Sequence, residues 1–107
     1  MTARPDQRVD HQDVDGFDTT IHAPVRLRLC ATLEALGEVE FGTVLELLEI
    51  SKSALSKHVA TLVEAGYVEQ RHAVRDTRQR VWLSLTPAGL TAYQAHVAAL
   101  RAIVKPL

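Results

Sequence analysis

The chain has 107 residues, of which 47% are hydrophobic and 23% are charged, and its formal net charge is −1. This length allows one domain with a modest core, and no apolar run is long enough to cross a membrane as a helix. Because no signal peptide is recognisable and the lone cysteine, Cys30, has no internal disulfide partner, we expect a soluble cytoplasmic protein.

The first predicted elements are a tail and two helices. Residues 1–16 contain four aspartates and no apolar periodicity, which predicts a disordered acidic tail, and we assign residues 17–107 to one domain. A short helical lead-in over 16–21 precedes a helix that begins at Pro24, since proline suits the first turn, and ends at Gly37, a good C-cap. A second helix carries four apolar residues inward: Phe41, Val44, Leu45 and Leu48.

The remaining elements are a third helix, a hairpin and a last helix. Ser51 caps the third helix, which runs to Ala65 and stops at Gly66. Alternating apolar residues predict strands over 67–72 and 79–85, joined by a turn over 73–77, and a last helix follows over 87–107. This order is typical of a winged helix-turn-helix, a mainly α fold with a small β-hairpin (α+β) and here a long C-terminal helix.

The third helix has one apolar face and one polar face. At 100° per residue, its larger apolar residues cluster on the core side: Leu55, Val59, Leu62 and Val63. The opposite side is small and polar, which suits the major groove of DNA, about 12 Å wide, and the helix N-terminus can hold a phosphate. The candidate DNA contacts here are Ser51, Lys52, Ser53, Ser56, Lys57 and Thr61. An ordinary amphipathic surface helix is the alternative interpretation.

The hairpin is rich in arginine near its predicted turn. An arginine on a turn can enter the minor groove of DNA, so Arg75, Arg78 and Arg80 are candidate DNA contacts. Asp76 is placed to hold Arg78 extended through a charge-assisted hydrogen bond. Residues 51–107 carry a net charge of +5, against −6 for residues 1–50, so the third helix and the hairpin share the basic half of the chain. The alternative is a solvated hairpin whose arginines only add solubility.

Two stretches resemble known regulators of transcription. SALSKHVATLVEAGYVEQ (residues 53–70) and RDTRQRVWLSLTPAG (residues 75–89) resemble winged-helix regulators of the MarR and ArsR groups, and above all the compact winged-helix DNA-binding domain proteins. The resemblance covers about residues 17–104, and its most specific element is Asp76-x-Arg78 followed by Leu85-Thr86-Pro87-x-Gly89. It implies that the third helix reads the major groove and that Arg78 enters the minor groove. The cysteine-rich motif of metal-sensing ArsR proteins is missing.

The last helix has more apolar surface than a small domain can bury. The residues of its seam step by three and four, as in a coiled coil: Leu90, Tyr93, Val97, Leu100 and Val104. A stripe of alanines lies beside this seam. One stripe can pack on the first helix and the other can meet a second chain, which predicts a homodimer. A wide stripe packed wholly within one monomer is the alternative.

These features predict a sequence-specific regulator that binds double-stranded DNA as a homodimer on a palindromic operator. We expect a repressor acting by occlusion, and the alternative is a winged-helix protein-interaction module that does not bind DNA. No catalytic residues, metal site or cofactor motif are recognisable, so we predict no enzyme. A small-molecule effector is left open, with a cleft between the first and last helices, near Trp82 or Tyr93, as its natural place.

Overall fold

The computed structural model describes residues 14–106, which fold into five helices and three strands. In chain order these are α1 (Thr19–His22), α2 (Pro24–Leu36), β1 (Val39–Glu40), α3 (Phe41–Leu48), α4 (Lys52–Glu64), β2 (Val68–Arg75), β3 (Arg78–Leu85) and α5 (Pro87–Ile103). The strands form one antiparallel sheet in the order β1-β3-β2. The predicted winged helix with a C-terminal helix is therefore confirmed. None of these helices is long and apolar enough to cross a membrane.

Both ends of the described segment differ from the predicted bounds. Residues 14–16, which we assigned to the tail, form a turn. A Cβ at Gly16 would lie 2.9 Å from the Ala95 carbonyl oxygen, so this turn packs against α5. The rest of the predicted tail lies outside the described residues. At the other end α5 stops at Ile103, short of its predicted end, because Pro106 cannot continue a helix and disfavours helical backbone in the residue before it.

The core lies where α2, α3 and α4 pack against the sheet. Its buried apolar residues are Ile21, Leu29, Cys30, Leu33, Val39, Val44, Leu48, Leu55, Val59, Leu62, Val68 and Leu83. The predicted core face of α4 is confirmed at Leu55, Val59 and Leu62, while Val63 is half-buried. Burial raises the pKa of the Cys30 thiol to about 11, so this thiol stays protonated near neutral pH.

The hairpin of β2 and β3 has a tighter turn than we predicted. Its strands stay paired up to Arg75 and Arg78, so only Asp76 and Thr77 form the turn. Both turn residues have positive φ, 53° and 63°, as in the two-residue turns whose twist matches that of the flanking strands. The predicted five-residue turn over 73–77 is wrong because this geometry lets the ladder of hydrogen bonds continue to the tip.

Replacing Thr77 with glycine is expected to stabilise the hairpin. Threonine is β-branched and is held here at a φ of 63°, in the left-handed region that glycine adopts without steric cost. We expect a gain of about 0.5–1 kcal/mol in the free energy of unfolding, measured by chemical denaturation. Thr43→Gly, at an exposed position in α3, is the control and should lower stability, since glycine weakens helices. A loss for Thr77→Gly would contradict the prediction.

Asp18 ties the N-terminal segment to the rest of the domain. One carboxylate oxygen caps α1 by accepting the N–H groups of Thr20 at 2.9 Å and Ile21 at 3.1 Å. The other accepts the hydroxyl of Tyr67 at 2.5 Å, a bond that raises the pKa of Tyr67 to about 12. The backbone N–H of Asp18 donates to Nδ1 of His96 at 2.9 Å. This one residue therefore connects α1, the start of β2 and α5.

His96 is the buried polar residue of α5. Its side chain is fully buried, its ring lies edge-on to those of Phe17 and His22, and its Nε2 lies 3.2 Å from Nδ1 of His22. Burial, together with the charge of His22, lowers the pKa of His96 from the ordinary value of 6.5. Because Nδ1 accepts the N–H of Asp18, a proton added there breaks that hydrogen bond.

His96 is expected to make the domain less stable in mild acid. Its folded-state pKa lies below 6.5, so the unfolded chain binds the proton more readily. The contribution of neutral His96 to the free energy of unfolding is fully present above about pH 6.5, and it is lost as the pH falls from there through the folded-state pKa. Thermal unfolding measured across this range should show that His96→Asn has a flatter pH dependence than the unmodified chain.

The control for this experiment is His72→Asn, at an exposed position on β2, which should keep the original pH dependence. A residual slope is expected in His96→Asn, because burial also lowers the pKa of His58. An unchanged pH dependence in His96→Asn would contradict the prediction.

The first turn of α5 is fastened to the end of α4. The hydroxyl of Thr86 accepts the N–H of Gly89 at 2.9 Å and donates to the carbonyl oxygen of Gly66 at 2.6 Å. The N–H of Thr86 donates to the carbonyl oxygen of Tyr67 at 3.0 Å. Gly89 lies so close to that carbonyl group that a side chain could not fit there. The Thr-Pro-x-Gly sequence therefore fixes the direction of α5 relative to the hairpin.

Candidate nucleic-acid interface

The polar face of α4 is exposed, as its amphipathic pattern predicts. Ser51, Lys52, Ser53, Ser56, Lys57 and Thr61 are all exposed. Ser51 is confirmed as the N-cap, since its hydroxyl accepts the N–H of Ala54 at 3.1 Å. The hydroxyl of Thr61 donates to the Lys57 carbonyl oxygen at 3.0 Å, which uses its proton inside the helix. Within residues 14–106, the side chains of Lys52, Ser56 and Lys57 make no hydrogen bond, so they remain available to a ligand.

A groove of about 510 Å³ lies between the N-terminal half of α4 and the hairpin. It is lined by Glu40, Phe41, Gly42, Lys52, Ser56, Gln70, Arg78, Gln79, Arg80 and Val81. The structure thus brings Lys52 and Ser56 of α4 together with Arg78 and Arg80 of the hairpin. The other candidate residues lie outside this groove. We name it the helix–wing groove.

The helix–wing groove also contains residues that the sequence did not single out. Gln70 and Gln79 come from the two strands of the hairpin and can donate and accept hydrogen bonds. Glutamine on a strand carries no charge and interrupts no apolar pattern, so no feature of the sequence marked either residue as a candidate contact. Only the pairing of the strands places them beside α4.

Two arginines face each other at the tip of the hairpin. Arg75 and Arg78 are direct cross-strand partners, and both side chains are exposed. Like charges directly opposite one another destabilise a strand pair. Neither arginine forms an ion pair within residues 14–106, and a bound anion would offset the repulsion.

The expected hydrogen bond between Asp76 and Arg78 does not form in the described residues. Asp76 lies in the turn with left-handed backbone, whereas Arg78 is already the first residue of β3 and faces Arg75. The prediction was wrong because it assumed a longer and looser turn.

The other two arginines of the hairpin are held by acidic residues. Arg71 forms a two-pronged ion pair with Glu38, at 2.9 and 2.8 Å, and its guanidinium lies 5.6 Å from the centre of the Trp82 ring. The hydrogen bonds from Arg71 lower the pKa of Glu38. Arg80 forms an ion pair with Glu40, and its Nε is buried without a hydrogen-bond partner in the described residues. Arg71 and Arg80 therefore fasten the hairpin to the segment around β1.

The suggested effector cleft divides into separate grooves. Trp82 lines a groove of about 430 Å³ with Arg75 and Arg80, on the side of the hairpin near β1. Tyr93 lines another groove, of about 220 Å³, between α2 and α5. Only the second corresponds to a cleft between the first long helix and the last one. Within residues 14–106, no three His, Cys, Asp or Glu side chains are grouped to hold a metal ion.

The predicted seam of α5 is only partly covered in a single chain. Leu90 is 37% exposed and Val104 is 74% exposed, while Tyr93, Val97 and Leu100 are half-buried. The buried residues of α5 lie on another face and include Gly89, His96 and Ala99. Of the predicted alanine stripe, Ala99 is buried and Ala92 half-buried, whereas Ala88 and Ala95 are exposed. The seam remains a prediction for an interface between chains.

Comparison with known proteins identifies the family to which this fold belongs. Residues 25–104 match the family model described as a winged helix DNA-binding domain. The chain belongs to the winged helix DNA-binding domain family. Its fold is similar to that of a transcriptional regulator homologue from Pyrococcus horikoshii OT3, with a TM-score of 0.76, 22% identity and coverage of 79% of this chain and 84% of the other.

Two further structures are similar to this winged-helix chain. A putative MarR-family regulator from Enterococcus faecalis V583 gives a TM-score of 0.69 at 24% identity, covering 78% of this chain and 76% of the other. The transcriptional repressor BigR from Xylella fastidiosa gives a TM-score of 0.61 at 35% identity, covering 82% of each chain. The family match and the likeness to BigR support a DNA-binding regulator of transcription, while the two structures below 25% identity show a shared fold.

Proposed function

We propose that this winged-helix protein is a sequence-specific repressor that binds double-stranded DNA as a homodimer on a palindromic operator. The observation that carries the proposal is the pair of arginines at the hairpin tip. Arg75 and Arg78 face each other without an acidic partner in the described residues, at a cost in stability that phosphate groups would offset.

The exposed face of α4 is assigned to the major groove. Ser53, Ser56 and Lys57 are small or flexible enough to reach base edges, and Lys52 lies at the helix N-terminus, where a phosphate is favoured. Ser51 contributes as the cap that holds this end of the helix. Thr61 lies one helical turn beyond Lys57, so it is assigned to a phosphate at the edge of the contact.

The hairpin is assigned to the neighbouring backbone and minor groove. Arg75 and Arg78 supply the charge at its tip, because arginine is the side chain that enters a narrow minor groove. Arg80 acts from the wall of the helix–wing groove, where its pair with Glu40 holds the hairpin at a fixed angle to α3. Its contribution to DNA binding is thus mainly to position the tip.

Repression follows from the size of the proposed complex. Two chains related by a two-fold axis would cover two major-groove segments about 34 Å apart, which blocks other proteins from the same DNA. BigR, which is 35% identical to this chain, is described as a transcriptional repressor. A two-fold axis in the protein also requires an inverted repeat in the operator.

Binding-site selection from a random duplex library tests the proposal, using the purified full chain. The expected result is a palindromic consensus bound with an affinity that falls steeply with salt. Selection of a single half-site would overturn the dimeric operator. No binding to any duplex at low salt would overturn DNA binding and favour a protein-interaction module instead.

A further inference from the structure

We propose that Arg26 and His58 form a phosphate-binding site on the flank of α4 that faces away from the hairpin, and that His58 takes up a proton from solvent when DNA binds there. This inference rests on the DNA binding proposed above. It adds a contact to a second phosphate backbone and a dependence of the affinity for DNA on pH.

His58 connects α4 to α2 through a hydrogen bond whose direction is fixed. Nη1 of Arg26 lies 3.1 Å from Nδ1 of His58, and a guanidinium can only donate. Nδ1 is therefore the acceptor, and the proton of the neutral ring is carried by Nε2. Within residues 14–106, Nε2 has no hydrogen-bond partner and is not enclosed, so its N–H group can donate to a ligand.

Arg26 is a half-buried cation without an acidic partner in the described residues. Its Nε donates to the carbonyl oxygen of Thr20 and its Nη1 donates to His58, which holds the guanidinium between α1 and α4. Both acceptors are neutral, and within residues 14–106 no carboxylate forms an ion pair with Arg26. Lys57, which precedes His58, adds a second positive charge. This cluster of cations favours a bound anion.

The helical period places this cluster on the flank opposite the hairpin. Each residue turns an α-helix by about 100°, so Ser56 and His58 lie on opposite flanks of the exposed Lys57. Ser56 lines the helix–wing groove together with Arg78, whereas His58 contacts Arg26. The polar face of α4 therefore has a cationic group along each flank.

This arrangement matches the two phosphate backbones that border a major groove. The groove is about 12 Å wide and a helix with its side chains is about 10–12 Å across, so a helix inserted there has one backbone along each flank. The arginines at the hairpin tip are assigned to one side. Nε2 of His58 and the remaining N–H groups of Arg26 would meet the backbone on the other side, which fixes how α4 sits in the groove.

The surroundings of His58 favour its neutral form until a phosphate binds. Burial lowers the pKa of His58 from the ordinary value of 6.5, and the charges of Arg26 and Lys57 lower it further. From α1 the contribution is the uncharged carbonyl group of Thr20, and the acidic residue of α4, Glu64, is about 9 Å further along the helix. A phosphate beside Arg26 raises the pKa of His58 in the complex above its value in the free protein.

Proton uptake also frees part of Arg26 for the phosphate. The new proton goes to Nδ1 of His58, which can then no longer accept from Nη1 of Arg26. The imidazolium and the guanidinium can donate to the same phosphate, while Nε of Arg26 keeps its bond to the carbonyl oxygen of Thr20. Because DNA favours the protonated ring, a proton must equally favour DNA binding, so the affinity rises as the pH falls.

Titration of a random duplex at low salt, at about pH 7.5 and about pH 6, tests the proton uptake. The full chain should bind about three- to tenfold more tightly at the lower pH, since a shift of one pKa unit corresponds to a tenfold change in an equilibrium constant. His58→Gln keeps a hydrogen-bonding side chain but cannot titrate, so its affinity should be the same at both pH values. Far-UV circular dichroism at each pH checks that the chains are folded.

The matched control is His72→Gln, at an exposed position on β2, which should keep the pH dependence of the unmodified chain. Loss of the pH dependence in His72→Gln would assign the proton to the hairpin and overturn the proposal. An undiminished pH dependence in His58→Gln, or none in the unmodified chain, would overturn it as well.

The salt dependence tests the contact of Arg26. Arg26→Ala is expected to reduce the salt slope of binding by about one, as the loss of one phosphate contact does. Arg28→Ala, exposed on the same helix, removes the same charge and should keep the slope. If Arg26→Ala does not fold, Arg26→Gln replaces it, because glutamine can still donate to the carbonyl oxygen of Thr20. Equal slopes for the Arg26 and Arg28 variants would overturn the contact.

These experiments separate the phosphate site from the DNA-binding proposal on which it rests. A chain that binds no duplex at either pH would refute the proposed function and the phosphate site with it. A chain that binds duplex equally well at both pH values, with a salt slope that survives the loss of Arg26, would refute the phosphate site alone.

Discussion

Gly89→Ala is expected to lower the free energy of unfolding by about 2–3 kcal/mol, which is about 10–20 °C in Tm for a domain of this size. The added Cβ would lie 2.0 Å from the carbonyl oxygen of Tyr67 and 2.8 Å from its carbonyl carbon. These are backbone atoms that cannot rotate aside, and the same carbonyl oxygen accepts the N–H of Thr86. The first turn of α5 must therefore move away from β2.

The matched control is Gly42→Ala, in the first turn of α3. A Cβ there meets only a side-chain oxygen of Glu40 at 3.6 Å, and alanine is the better helix former. This variant should be neutral or slightly more stable in the same thermal melt followed by circular dichroism. Equal melting temperatures for the two variants would show that the close approach at Gly89 does not limit stability.

Arg78→Ala is expected to weaken binding to every duplex by about ten- to a hundredfold, whatever its sequence. In the proposed complex the guanidinium at the hairpin tip contacts phosphates or the minor groove, so its loss should also reduce the salt slope by about one. The melting temperature should stay the same or rise slightly, because the repulsion from Arg75 is removed. A mobility-shift titration at several salt concentrations, paired with a thermal melt, measures both effects.

Arg80→Ala provides the contrast on the same hairpin. It leaves Glu40 partly buried without its partner, so the melting temperature should fall together with DNA binding. Ser56→Ala should change which sequences are preferred while keeping the salt slope, because a serine hydroxyl carries no charge. If Arg78→Ala lowered the melting temperature and spared DNA binding, the arginine pair at the tip would be structural.

The sequence was most informative where a local rule determines the structure. The helix starts at Pro24 and Pro87 and the cap at Ser51 were predicted correctly, because a proline or a capping hydroxyl acts within one turn. The stop at Gly37 is likewise confirmed, with φ at 83°. The core face of α4 followed from the helical period alone.

Contacts between distant residues were not predictable from local patterns. Asp18 caps α1 locally, but its bonds to Tyr67 and His96 join residues 49 and 78 positions apart in the chain. The pairing of Arg80 with Glu40 likewise depends on β1 joining the hairpin as a third strand. The sequence therefore predicted which side chains could contact DNA. It could not show which arginines of the hairpin are held in ion pairs and which are left exposed at the tip, because that depends on the fold.

The contacts of Asp18 also determine where this domain can be cut. The family match begins at residue 25, after α1, yet Ile21 is fully buried in the core and Asp18 links three elements. A fragment that starts at the match would expose the pocket of Ile21 and leave His96 and Tyr67 without their partner. Deletion studies and fusion proteins should therefore keep the chain from residue 14 onward, because sequence similarity alone underestimates the folding unit.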